Sequence, residues 1–162
     1  MKIAYSGTHG TGKTTSAFEK CLDVKMKQGD ITVTIVNEIA RRCPFPINKD
    51  VTSTTQLWLV NKQINEEITA SSLFDVVICD RTVMDCLAYT SLVSKDLFRR
   101  LLPMVEYHAS SYDLIIVKTI EENDYMIDDG LRSLDIEFRK QVENALMSIY
   151  IDDLKLNNVV WN

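Results

Sequence analysis

The 162-residue chain predicts a three-layer α/β fold, a five-stranded parallel sheet with helices on both faces. Three observations carry this expectation. Five short apolar runs alternate with longer stretches of helical periodicity, and such alternation needs crossover connections that lay helices on the sheet. Two of the runs, Val76-Val77-Ile78 and Leu114-Ile115-Ile116-Val117, are apolar without interruption, as suits central parallel strands buried from both sides. They are expected to flank the first strand. The third observation is the octapeptide Gly7-Thr8-His9-Gly10-Thr11-Gly12-Lys13-Thr14, which fills every position of G-x-x-x-x-G-K-[ST] and needs a strand before it and a helix after it.

Lys2 to Ser6 supplies that strand, and Lys13 to about Lys27 supplies the helix, with Ala17, Cys21, Val24 and Met26 at near-helical spacing. Thr32 to Val36 forms the second strand. A helix follows from about Thr54 to Ser72, where Leu57, Val60, Ile64 and Ile68 form the stripe expected to face the core. Val76 to Cys79 is the third strand. Helices are expected from about Val83 to Leu92 and from Lys95 to Tyr107, the latter kinked at Pro103. Leu114 to Lys118 is the fourth strand. The polar segment from Glu121 to Arg132, with its one glycine, is expected to be a flap. A last helix runs from Leu134 or Asp135 to Asp152, with Leu134, Phe138, Val142 and Leu146 repeating every four residues beside Ala145 and Ile149. Asn158 to Trp161 closes the sheet as the fifth strand. The chain is expected to form one domain, residues 1–162, with a lid at about 121–134.

Composition narrows the partners. A formal net charge of −5 offers no broad attraction for a nucleic-acid backbone, so long nucleic acid is disfavoured while a single 5′ end beside Arg41-Arg42 remains open. No apolar run approaches the roughly twenty residues of a membrane span, and the N-terminus enters a strand without a signal pattern, so a cytoplasmic protein is expected. Cys21, Cys43, Cys79 and Cys86 show no C-x-x-C pairing, so neither disulfides nor zinc are expected. A homodimer is one option among oligomeric states that the sequence does not separate.

The octapeptide suits a polyphosphate. Glycines let successive backbone N–H groups turn inward onto oxygen atoms, and the following helix offers its positive dipole end. Gly7, His9, Gly10, Thr11, Gly12, Lys13, Thr14 and Thr15 are therefore the expected nucleotide-binding residues, with His9 at a position that the pattern leaves free. Lys13 should reach the β- and γ-phosphates of ATP, and Thr14 should place its hydroxyl on Mg²⁺.

In an open parallel sheet the carboxyl ends of the strands border the ligand crevice. Asp80, ending the third strand, is the expected acidic partner of the metal, with a helix cap as the alternative. Arg81 can fork onto the acceptor or form a surface ion pair. Glu38, ending the second strand, is the candidate base, against a solvated carboxylate paired with Arg41 or Arg42. Arg132, and also Arg139, can bring positive charge to the triphosphate from the flap and the helix beyond it. Gln56, Trp58 and Gln63 suit either base reading or packing, and His108 is expected at the surface.

Gly7 to Thr15 together with Asn37-Glu38-Ile39-Ala40-Arg41-Arg42, Asp80-Arg81-Thr82 and Asp128-Asp129-Gly130-Leu131-Arg132 resembles the P-loop nucleoside kinases related to the ribosylnicotinamide kinase domain. The resemblance spans nearly the whole chain. It implies strand order 2-3-1-4-5, a lid after the fourth strand, an Asp-Arg pair at Asp80-Arg81, and at Glu38 the acid that holds the acceptor hydroxyl. The implied activity is ATP-dependent transfer of the γ-phosphoryl group to a nucleoside- or nucleotide-like small molecule. An ATPase or nucleotide switch and a polynucleotide 5′-hydroxyl kinase are the rivals. A GTPase is disfavoured, because Lys118-Thr119-Ile120-Glu121 lacks the Asn-Lys-x-Asp segment expected of that group.

Overall fold

The computed structural model describes residues 1–47, 51–120 and 135–162. Its strands are β1 (Lys2–Ser6), β2 (Val33–Val36), β3 (Val76–Asp80), β4 (Leu114–Val117) and β5 (Val159–Trp161). Its helices are α1 (Lys13–Lys27), α2 (Ser53–Leu73), α3 (Val83–Val93), α4 (Lys95–Ala109) and α5 (Ile136–Ser148). A 3₁₀ turn spans Ile39–Arg42, and a π-helical turn, Ile149–Asp153, extends α5. The five strands pair in parallel in the order β2-β3-β1-β4-β5, so β3 and β4 do flank β1.

Alternation along the central strands divides the core in two. Ala4, Val77, Cys79, Ile115 and Val117 face a large cluster that gathers residues from α2, α3, α4 and α5. Their neighbours Ile3, Tyr5, Val76 and Ile78 face a smaller cluster completed by Ala17 and Val24 of α1. Helices thus cover both faces, four against one. Met26, grouped with Ala17 and Val24 by spacing, instead lies 76% exposed at the end of α1. Among the described residues no helix is long and apolar enough to cross a membrane.

α2 corrects the expected stripe. Leu57 and Ile68 are 44% and 57% exposed, while the buried face carries Gln56, Leu59, Val60, Gln63, Glu67 and Ala70. The physical reason is a polar demand inside the fold. Glu67 accepts hydrogen bonds from Gln63 Nε2 at 2.8 Å, Tyr112 Oη at 2.7 Å and Lys2 Nζ at 3.2 Å, and His108 Nε2 lies 2.9 Å from it. His108, expected at the surface, is buried by this network. Four polar partners around one carboxylate outweigh the apolar count that the stripe relied on.

The crevice opens where β1, β2 and β3 end. Arg81 N donates to Tyr5 O at 2.9 Å, and Lys118 N donates to Ser6 O at 2.8 Å, so both turns are tied to the strand that leads into the glycine loop.

Candidate active site

The loop between β1 and α1 has glycine where the backbone requires it. Gly7 sits at φ +132°, and a Cβ there would fall 2.2 Å from the carbonyl oxygen of Lys118. No side chain fits that space. α1 differs from the other helices at its start. Thr52, Thr82, Ser94 and Asp135 cap α2 to α5 with side-chain oxygens, whereas α1 begins at Gly12 without a side-chain cap or an acidic residue in its first turn. Its N–H groups are left for an anion.

Lys13 folds back into this loop, where its ammonium donates to Thr8 O and, at 3.2 Å, to Thr11 Oγ1. Burial and then the nearby Arg81 charge depress its pKa to about 7, against the pull of Asp85, Asp80 and Glu38. Beside it, Thr14 Oγ1 donates to Asp80 Oδ2 at 2.7 Å. Burial raises the Asp80 carboxyl above its ordinary range, opposed by the Thr14 hydrogen bond and Arg81. The helix-cap alternative for Asp80 falls, because Thr82 caps α3. A hydroxyl and a carboxylate oxygen side by side form a hard donor set suited to Mg²⁺, which takes few protein ligands and completes its shell with phosphate and water. Among the described residues no group of three His, Cys, Asp or Glu gathers into a cage.

Next to the loop lies a buried ion cluster. Arg81 Nε donates to Glu38 Oε1 at 2.6 Å, Arg81 Nη1 lies 3.7 Å from Asp85 Oδ1, and Arg41 Nε reaches Glu38 Oε2 at 3.1 Å. Burial opposes the Arg81 charge, but Glu38, Tyr89 and Asp85 outweigh it and hold the guanidinium well above its usual pKa. The Arg81 backbone sits at φ +98°, a strained conformation for a side-chain-bearing residue at the rim of a crevice. Of the alternatives for these residues, the pairing of Glu38 with Arg41 is present, but Glu38 is buried and not solvated, and the Arg81 ion pair is buried and not at the surface. The structure also separates the two arginines. Arg41 sits on Glu38, whereas Arg42 turns to Glu66 at 3.4 Å on the exposed side of α2.

Two cavities meet at this cluster. One, of about 210 Å³, is lined by Gly10 to Thr15 with Asp80 and Arg41. The other, of about 240 Å³, is mostly apolar and runs between Leu59, Gln56 and Gln63 of α2, Tyr89 of α3 and Phe138 of α5. Glu38 and Arg81 line both. His9, expected with the nucleotide, faces the second cavity, its Nδ1 3.2 Å from Tyr89 Oη and its ring 6.5 Å from Phe138. Tyr89 and Phe138 rings lie 6.0 Å apart, giving the cavity an aromatic wall. Trp58 stays outside it, edge-on to Phe45 at 6.4 Å. Arg139 is buried within the described body, and Arg132 lies outside the described residues, as does the expected lid.

The family model described as AAA domain matches residues 2–157. The chain belongs to the AAA domain family. A search of the curated proteins finds no match for this AAA domain. Among solved structures it is similar to a deoxyadenosine kinase from M. mycoides with dCMP and dCDP bound, at 16% identity and TM-score 0.67, covering all of this chain and 90% of that one. It is also similar to the NadR protein in complex with NR, at 23% identity and TM-score 0.71, covering 99% of this chain but only 45% of that one. A thymidylate kinase from Ehrlichia chaffeensis matches at 18% identity and TM-score 0.67, covering 99% and 86% of the two chains. The AAA domain therefore has the fold of the P-loop nucleoside and nucleotide kinases, strand order included.

Sequence reasoning missed the supports beneath this AAA domain's site. Asp85 Oδ1 accepts from Gly7 N at 3.0 Å, while Oδ2 accepts from Thr82 N and Oγ1, both at 2.7 Å. Tyr150 Oη donates to Ser6 Oγ at 2.7 Å and lies 3.0 Å from Thr82 Oγ1. The Thr-x-x-Asp spacing after β3 is a capping-box signature and was the available signal for Asp85. Tyr150 had none, because an aromatic residue in a helical stripe looks like ordinary core.

Proposed function

We propose that this AAA domain is an ATP-dependent small-molecule kinase that transfers the γ-phosphoryl group to a nucleoside- or nucleotide-like acceptor. The observation that carries this is the position of Glu38 and Arg81, shared by a glycine-lined phosphate pocket and an apolar cavity of small-molecule size. A hydrolase needs only a water beside the phosphate, so a second, aromatic-walled cavity at that junction favours an acceptor. Residues 1–162 act as one domain in this proposal.

The loop N–H groups from Gly10 to Thr15 cradle the phosphates, and Lys13 leaves Thr8 O to meet the β- and γ-oxygens. Thr14 and Asp80 would hold Mg²⁺, which would supply positive charge against those oxygens. Glu38 accepts a hydrogen bond from the attacking group and holds it in line, while Arg81 steadies Glu38 and faces the charge in transit. Arg132 adds positive charge during transfer, so Arg132→Ala is expected to lower kcat more than it raises KM for ATP.

The test is transfer of labelled γ-phosphate from Mg-ATP to a panel of nucleosides, nucleotides, nicotinamide riboside and 5′-hydroxyl oligonucleotides. Labelled product from a small acceptor is expected, and Glu38→Gln should keep ATP binding while transfer falls at least about 100-fold. Release of free phosphate alone, with no acceptor labelled, would replace the kinase with an ATPase. Full transfer by Glu38→Gln would remove Glu38 from the mechanism.

A further inference from the structure

The two cavities divide their charges unequally. Lys13 and Arg41 line the phosphate side, together with Arg81, against Asp80 and Glu38. On the acceptor side the charged lining among the described residues is Glu38 and Asp85 against Arg81 alone. That guanidinium is already engaged, at 2.6 Å with Glu38, at 3.7 Å with Asp85, and with Gly7 O at 3.4 Å. An incoming phosphate monoester, carrying up to two negative charges, would meet two carboxylates and, among the described residues, a single cation whose Nε and Nη1 are already committed.

A second observation points the same way. Gln63 Nε2 donates to Glu67 Oε1 at 2.8 Å and to Arg81 O at 3.4 Å, both of them oxygen acceptors, which fixes the orientation of the amide. Its Oε1 is left buried with no hydrogen-bond partner, on a side chain that lines the acceptor cavity. An orphaned carbonyl oxygen calls for a donor and repels an anion.

We infer that the acceptor is a phosphate-free hydroxyl compound of nucleoside type, with a base that can donate an N–H, and that nucleoside monophosphates are excluded as acceptors. This rests on the kinase function proposed above and settles which half of its acceptor range the cavity takes. In the step itself the acceptor hydroxyl oxygen forms the new bond to the γ-phosphorus. The bond from that phosphorus to the β,γ-bridging oxygen breaks, its electron pair leaving on ADP, and the hydroxyl proton passes to the Glu38 carboxylate and then to solvent. Atoms and charge balance with ATP as the only co-reactant. Ion-paired to two arginines, Glu38 serves more as a hydrogen-bond acceptor that aligns the hydroxyl than as a strong base, which suits a loose transition state in which the proton leaves late.

The experiment is calorimetry with the phosphate loop filled by Mg-AMP-PNP, so that a ligand phosphate cannot bind there. Adenosine, cytidine, thymidine and nicotinamide riboside are each compared with their own 5′-monophosphates. At least one nucleoside is expected to bind about 100-fold or more tightly than its monophosphate. Glu38→Gln frees Arg81 of one partner and should narrow that ratio by about tenfold, an effect that a merely structural role for Glu38 does not produce. A monophosphate that binds as well as its nucleoside, or no binding by any nucleoside, overturns the inference. Because this is a binding ratio, it stands apart from the transfer assay. Nucleosides that bind selectively without being labelled would sink the kinase and leave the charge selectivity of the cavity in place.

Discussion

Lys13 holds its proton loosely in the free protein and should hold it firmly against a triphosphate. With its pKa brought down to about 7 by burial, part of the population is neutral at pH 7.5, and bound phosphate oxygens restore the charge. Nucleotide binding at that pH should therefore take up a fraction of a proton, seen as a binding enthalpy that changes with the ionisation heat of the buffer. Affinity should fall as pH rises above about 7, because protonation must then accompany binding. Stability runs the opposite way. A depressed lysine binds fewer protons folded than unfolded, so its destabilising effect is complete below about pH 7 and is relieved as pH climbs towards the ordinary 10.5. Lys13→Ala should lose both ATP binding and buffer dependence, and a buffer-dependent enthalpy that survives in this variant would assign the proton elsewhere. Gly7→Ala places a methyl against Lys118 O at a φ that only glycine tolerates, and a loss above about 2 kcal/mol in urea unfolding is expected. Gly7 was legible in the sequence because a phosphate loop fixes residue type by geometry, and the closeness of Thr14 and Asp80 was legible because the end of a parallel strand borders that loop. Asp85 was not singled out, since a capping carboxylate that also holds Gly7 N looks the same in sequence as one that only caps.

At the scale of elements, α2 shows where periodicity fails. The boundaries of nearly every strand and helix fall within a residue or two of those expected, because strand length, loop composition and caps are local properties. Which face of α2 turns inward is not local. It is decided by Lys2 on β1, His108 on α4 and Tyr112 before β4, far apart in sequence and converging on Glu67. Glu67 is fully buried, so Glu67→Leu leaves the buried Lys2 ammonium without its counter-charge, with Ser111 Oγ as its remaining hydrogen-bond partner, and takes the carboxylate acceptor away from Tyr112 and Gln63. A loss of about 3–5 kcal/mol is expected from denaturant midpoints. Lys2→Met combined with Glu67→Leu should recover a good part of it, because the stranded charge goes as well. A double variant no more stable than Glu67→Leu would show that the network matters through its neutral hydrogen bonds instead. The same substitution releases Gln63 Nε2, so the acceptor cavity should loosen along with the fold.

For the whole molecule, the sheet's interior was predictable and its order only in part. Uninterrupted apolar runs placed β3 and β4 beside β1, whereas the outer positions of β2 and β5 came from family resemblance, since edge strands carry no pattern that names their neighbour. That order brings the ends of β1, β3 and β2 to one crevice, and Asp85 fastens two of them by accepting from Gly7 N and Thr82 N. A ligand spanning the crevice should therefore stabilise the entire domain. At about 100 times its Kd, Mg-ATP contributes about 2.7 kcal/mol, which for a chain of this size raises Tm by roughly 5–10 °C. ATP with EDTA should give a smaller shift, because Thr14 and Asp80 then face phosphate without the cation between them. Mg²⁺ alone should give almost none, two protein oxygens being too few to hold it. Asp80→Asn should bring the Mg-ATP shift down to the EDTA value while Lys13→Ala removes it altogether, a ranking that thermal melts can check in one series. Equal shifts with and without Mg²⁺ would mean that Asp80 serves the fold and not the metal.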